Sequence, residues 1–193
     1  RYTFRHDVVL AVLSKYIEMN PLIEHYALDT CVKNRESKRL TYYPKWVRHL
    51  GLRPDGWAKH VDGREFVLEL TCPWEENIRF KHSYKVAKYT DVMLNRRKEN
   101  PRCTLVAFEI SALGVPHTSI GALRELIGEG NEVFLTAVEE MCEAVMLASL
   151  QIFQNRLAAK WKKPSPLIEK RLDDLTCIES SKLIVSQLLR SEK

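Results

Sequence analysis

The stretch from Trp57 to Ile110 leaves this chain few folds to choose from. Trp57–His60 and Glu65–Thr71 read as strands, and Asp62-Gly63 between them is a hairpin turn signal. Cys72-Pro73 ends the second strand, because proline cannot donate to a sheet ladder. Glu75 to Arg97 reads as a long helix, acidic at its start and basic at its end, as the helix dipole favours. Asn100-Pro101 breaks it, and Thr104 to Ile110 is a nearly all-apolar run expected inside a sheet. Hairpin, helix and interior strand in that order predict a small mixed sheet flanked by helices, an α/β or α+β domain.

The flanks supply the helices. Val8, Val9, Val12, Leu13, Tyr16 and Ile17 recur at helical spacing, so a helix is expected from about Arg5 to Met19, ended by Asn20-Pro21. From Leu22 to Leu50 the pattern is irregular and polar, with Leu40–Tyr43 a weak strand candidate. A short helix is expected from Ile120 to Ile127, ended by Gly128 and Gly130, and a long one from Glu132 to Trp161. The stripe Phe134, Val138, Met141, Val145, Ala148 and Ile152 gives the long helix a core-facing side. Lys162-Lys163-Pro164-Ser165-Pro166 has linker composition, and Leu167 to Leu189 reads as a further amphipathic helix or pair of helices. The division expected is one domain over 1–163 and a helical tail over 164–193.

With 193 residues, 45% hydrophobic and 28% charged, the chain has the composition of one globular domain with a real core. No apolar run is long enough to cross a bilayer, and none is flanked like a signal peptide. It starts at Arg1 rather than Met and reads as a piece of a longer polypeptide. The net charge of +5 is clustered at Lys33–Arg39, Lys45–His49, Arg96–Arg102 and Lys160–Lys163. Such clusters suit a polyanion, or are solvated surface. Cys31, Cys72, Cys103, Cys142 and Cys177 are odd in number, widely spread and without a CxxC pair. That argues against a zinc knuckle or a secreted disulfide framework and for reduced, mostly buried thiols in an intracellular protein.

Two acids stand out. Asp55 follows Arg53-Pro54, and Glu69 lies on the second strand of the hairpin, so both can point at one ion from one sheet face. Mg²⁺ is a hard cation that prefers oxygen ligands, and a carboxylate pair with a backbone carbonyl makes an open site for it. Lys81, Lys85 and Lys88 share one helix face, and phosphate ester cleavage builds negative charge that such cations stabilise. A solvated basic face and an aspartate in a turn fit the same spacing. Among other residues, Glu109 is either a further site residue or, as the preferred reading, a rim position of its strand, Asp7 is expected at the start of the first helix, and Trp74 as a core anchor under the site. Arg5 and His6 are candidates for holding phosphate, and no second histidine lies at ligand spacing from His6. Serine and cysteine have no evident partners for nucleophilic catalysis.

Arg53-Pro54-Asp55, then Leu68-Glu69-Leu70-Thr71-Cys72-Pro73-Trp74-Glu75, then Lys85-Val86-Ala87-Lys88-Tyr89 resembles the restriction-like endonuclease domain of non-LTR retrotransposon proteins. The opening segment, Arg1 to Leu10, is similar to the start of the same region in many metazoan reverse-transcriptase-derived sequences. The resemblance covers about Arg1 to Trp161 and is most specific from Glu69 to Tyr89. It implies the PD-(D/E)xK fold, a mixed sheet flanked by helices. It also implies that Asp55 and Glu69 bind the metal and that Lys85, with Lys88 as neighbour or alternative, is a displaced catalytic lysine. Thr71 stands where that superfamily usually has its lysine.

The function expected is that of a Mg²⁺-dependent DNA endonuclease, with Mn²⁺ as a substitute, that nicks target DNA so that a free 3′-hydroxyl primes reverse transcription. Arg5, His6, Arg53 and Lys81 are its expected nucleic-acid contacts. Its partners would be DNA and other domains of a larger reverse transcriptase, and its place the nucleus. The alternatives are a nuclease-derived nucleic-acid-binding module without activity, and a protein-interaction domain using Leu167–Leu189.

Overall fold

The computed structural model describes residues 2–30, 38–49, 51–128 and 130–178. Helix α1 (Tyr2–Met19) opens the chain, followed by strand β1 (Ile23–Leu28) and one helical turn, α2 (Lys45–Arg48). Strands β2 (Gly56–His60) and β3 (Glu65–Thr71) form the hairpin, and α3 (Ile78–Glu99) crosses to β4 (Cys103–Glu109). A 3₁₀ turn (Thr118–Leu123) leads into α4 (Arg124–Ile127), then α5 (Asn131–Gln154) and α6 (Pro166–Thr176). The four strands form one sheet in chain order. The first two pairings are antiparallel, and β3 pairs with β4 in parallel, so the sheet is mixed.

Alternation on β3 sets the two faces of the sheet. Phe66, Leu68 and Leu70 join Val106, Phe108 and Ile110 of the β4 side in the main core, which also holds α1, α4, α5 and α6. Val67 meets Tyr89, Met93 and Cys103 in a smaller cluster under α3. Helix α1 is apolar nearly all round, and Val8 to Ile17 is buried without a break, Lys15 included. It begins at Tyr2, so Asp7 lies in the second turn beside His6 rather than at the helix start.

Several sequence expectations are corrected. Strand β1 falls in the stretch read as irregular, because a register shift between Ile23 and His25 breaks its alternation. Leu40–Tyr43 forms no strand, and only a single bridge, Tyr26 with Arg39, forms beside it. Trp74 is 56% exposed and anchors nothing, whereas Trp57 is buried. Helix α5 ends at Gln154 rather than Trp161. The amides of Gln151 and Asn155 are buried and bond the returning chain at Lys162 O and N, at 2.8 and 2.7 Å, which turns the backbone off the helix axis.

The segment of linker composition ends in a helix cap. Ser165 Oγ accepts from Ile168 N and Pro166 takes the first helical position, both favoured at a helix start. Helix α6 then buries Ile168, Leu172 and Leu175, and packs on α1 and α5. Residues 179–193, with Leu183, Ile184, Leu188 and Leu189 of the expected amphipathic tail, lie outside the described residues, as do Cys31 and Lys33. Cys72, Cys103 and Cys142 are free thiols, and burial pushes Cys72 up to about 12. No described helix is long and apolar enough to cross a membrane.

Candidate functional site

The hairpin register brings Asp55 and Glu69 together. Gly56 pairs with Leu68, so Asp55, one residue before β2, lies opposite Glu69. Its backbone N–H donates to Leu68 O at 3.1 Å, and its Oδ2 accepts from Leu70 N at 2.8 Å. The carboxylate is thereby fixed at the strand end. A Cβ on Gly56 would meet Leu28 Cδ2 at 2.5 Å and Leu68 Cβ at 3.2 Å, so glycine is what lets β2 pass this close to its neighbours.

Glu69 is fully buried on the face of β3 that looks at α3. Lys85 comes down from α3 and bridges the two acids, in ion contact with Glu69 Oε2 and with Nζ 3.7 Å from Asp55 Oδ2. Lys88 Nζ lies 3.8 Å from Glu69 Oε1, and the Tyr89 hydroxyl lies beside the same carboxylate. Glu69 Oε1 and Thr71 Oγ1 are nonetheless buried without a hydrogen bond of normal geometry. From α1, His6 Nε2 reaches Asp55 Oδ1 at 3.0 Å.

The charges are strongly interdependent. Burial raises the Glu69 carboxyl above its ordinary range and the Asp55 charge adds to this, while Lys85 and Tyr89 oppose it. Burial also works to raise Asp55, but the hydrogen bond and charge of His6, with Lys85, outweigh it and hold Asp55 low. His6 and Lys85 are held above their ordinary values, since their acidic partners overcome the desolvation that would lower them. The pair is thus one carboxylate that ionises readily and one that resists.

A cleft of about 600 Å³ opens beside this cluster. Arg5, His6, Asp29, Arg53, Thr71 and Lys85 are among the residues lining it. Arg53 is well exposed and reaches Asp29 at 2.5 Å, and Arg5 is buried and donates to Ser149 at 3.3 Å. Lys81 does not join the other two lysines. It is exposed over the Phe80 ring, and His82 takes the sheet-facing position a turn before Lys85. Much of the basic cluster Arg96–Arg102 is also taken up within the chain: Arg96 pairs with Glu65 and Glu99, and Arg102 with Asp62.

Glu109 is fully buried, not at a rim. It is the last residue of β4 and pairs in register with Thr71, which puts it on the same sheet face as Glu69. His82, His117 and Ser119 surround it. Neither histidine stands in a motif that the sequence makes visible. The only signal is the position of His82, three residues before Lys85 and so on its helix face. The contact of His6 with Asp55 joins residues far apart in the chain, which spacing does not reveal. Comparison with protein-family models, with curated proteins and with solved structures gives no match for this chain.

Proposed function

We propose that this domain is a divalent-metal-dependent DNA endonuclease of the restriction-like type, with Asp55 and Glu69 as metal ligands and Lys85 as its catalytic cation. The observation that carries the reading is the Lys85 amine held against both acids beside a cleft whose lining mixes Arg5, His6 and Arg53 with Asp7 and Asp29. The residues fit a hard cation. Glu69 Oε1 is a buried carboxylate oxygen without a normal hydrogen bond, and Asp55 is fixed by backbone and ionised readily. A bound Mg²⁺ or Mn²⁺ would supply Lewis-acid stabilisation and a more acidic water. Lys85 holds its proton firmly and offers a fixed positive charge to a phosphate in the cleft. His6 orients Asp55 through Oδ1, and Arg53 at the cleft mouth offers a cation to the flanking phosphate. Nicking in the service of reverse transcription rests on the family resemblance and on no distance in the site.

One observation favours a second reading, a nucleic-acid-binding module that does not cut. Lys85 already neutralises both acids, so a metal must share the site with it or displace it. A nicking assay on supercoiled plasmid with Mg²⁺, Mn²⁺ or EDTA separates the two. Metal-dependent nicking that is lost in Asp55→Asn and in Glu69→Gln, with the melting transition kept, is the outcome expected for the nuclease. DNA binding without nicking in either metal assigns the domain to the second reading.

A further inference from the structure

We propose that His82, Glu109 and His117 form a second metal site, for a borderline divalent transition ion of the zinc class, separate from the carboxylate pair at Asp55 and Glu69. The three residues come from three elements: α3, the end of β4, and the loop that enters the 3₁₀ turn. One ligand atom from each lies within 4.8 Å of the other two. His82 Nδ1 is 3.0 Å from Glu109 Oε2, and His117 Nδ1 is 3.7 Å from the same oxygen. Tetrahedral zinc with bonds of about 2.0–2.2 Å sets its ligands roughly 3.3–3.6 Å apart, so the cluster closes on an ion by drawing in from within 4.8 Å and by giving up the long bond, 3.4 Å, that His117 Nδ1 accepts from Ser119 N.

The chemistry of the donor set selects the ion. Two imidazoles and one carboxylate suit zinc and its neighbours, and do not suit Mg²⁺, which prefers an all-oxygen shell. Glu109 is fully buried, and a buried carboxylate calls for a positive partner. Ser119 Oγ donates to its Oε2 at 2.6 Å, the type of outer hydrogen bond that orients a metal-binding carboxylate. The backbone holds the third ligand in place, since His117 N donates to Glu109 O at 3.0 Å. Both histidine side chains keep an open side, 33% exposed at His82 and 25% at His117, which provides an entry path. A bound ion would pin α3 to β4 and to the following loop. His82 is three residues before Lys85, so this clamp would also steady the lysine that bridges the acids.

The bland account is that His82 and Ser119 simply satisfy a buried acid by hydrogen bonds. Cobalt spectroscopy on the whole chain, stripped of metal with a chelator, separates the two. One Co²⁺ per chain should bind with the intense visible d–d bands of a four- or five-coordinate site, set apart from any weakly absorbing six-coordinate Co²⁺ at the carboxylate pair, and Zn²⁺ should displace it. His82→Gln and His117→Gln, close in shape and still able to hydrogen-bond, should each weaken Co²⁺ binding at least about tenfold. Glu69→Gln should leave these intense bands unchanged, which keeps this outcome apart from that of the nuclease assay. Zn²⁺ should raise the melting temperature of the wild type and not that of either histidine variant. Three results would overturn the proposal: no Co²⁺ or Zn²⁺ binding, equal binding by the histidine variants, or a thiolate-to-cobalt charge-transfer band that places the ion on cysteine.

Discussion

Ionising Glu69 in the folded protein is opposed first by burial and then by the Asp55 charge, and Lys85 and Tyr89 offset only part of this. A carboxyl whose folded value is raised contributes stability that is complete below its unfolded value and lost as pH rises through the folded one. Asp55 has the opposite sign, because its value is lowered: its contribution is present above the unfolded value and lost as pH falls. In EDTA, Glu69→Gln should therefore gain stability relative to wild type as pH rises from acid toward neutral, and Asp55→Asn should lose it. Melting temperatures across that range check both signs. If the pair binds Mg²⁺ as proposed, adding it at neutral pH should raise the wild-type transition and leave Glu69→Gln behind, since only the wild type has both carboxylates. Parallel pH profiles for the two variants would mean that the acids do not differ in the way their surroundings imply.

At the scale of elements, α6 carries the clearest consequence. Its Ile168, Leu172 and Leu175 are buried on α1 and α5, and its last turn provides Leu175 O to the buried Lys15 amine at 2.7 Å. Lys15 also pairs with Glu140, which accepts from Tyr16 at 2.8 Å. A chain ending at Lys163 should keep the sheet and the acidic pair but melt about 10 °C or more lower. Three buried aliphatic side chains are worth roughly 1.5–3 kcal/mol each, and a domain of this size moves a few degrees per kcal/mol. A melting point unchanged by truncation would show that α6 contributes nothing to the core. Legibility followed the same elements. The hairpin, α3 and β4 are readable because their turn, proline breaks and apolar runs are local signals, and the facing of Asp55 and Glu69 comes with them, whereas the choice of Lys85 among the three lysines comes from the resemblance alone. Strand β1 is not readable, because its bulge hides the two-residue period. The end of α5 is not, because it depends on Gln151 and Asn155 bonding a segment that returns later in the chain. The burial of Glu109 is not legible in the sequence, since its partners come from α3 and from the loop beyond β4.

For the whole molecule, the net charge of +5 matters less than which cations are already engaged. Arg96 and Arg102 are paired with acids of the same fold, so the cluster they belong to offers a nucleic acid less than its sequence promises. Arg53 lines the cleft and reaches Asp29 through an exposed contact that is worth little in water, whereas Arg102 is not among the cleft's lining residues and bonds both the carboxylate and the backbone carbonyl of Asp62. Lys81 is exposed on α3, one turn before Lys85. Each lysine or arginine contact to duplex phosphate contributes about −0.9 to the slope of log affinity against log salt. A few such contacts predict a slope of roughly −2 to −4 for duplex DNA, with little dependence on sequence. Lys81→Gln and Arg53→Gln should each make the slope shallower by about one contact, whereas Arg102→Gln should leave it alone. Fluorescence anisotropy with a labelled duplex over a salt series measures all three. Affinity that is flat with salt would remove DNA as the partner, and a change at Arg102 equal to that at Arg53 would mean that the cleft does not face the duplex.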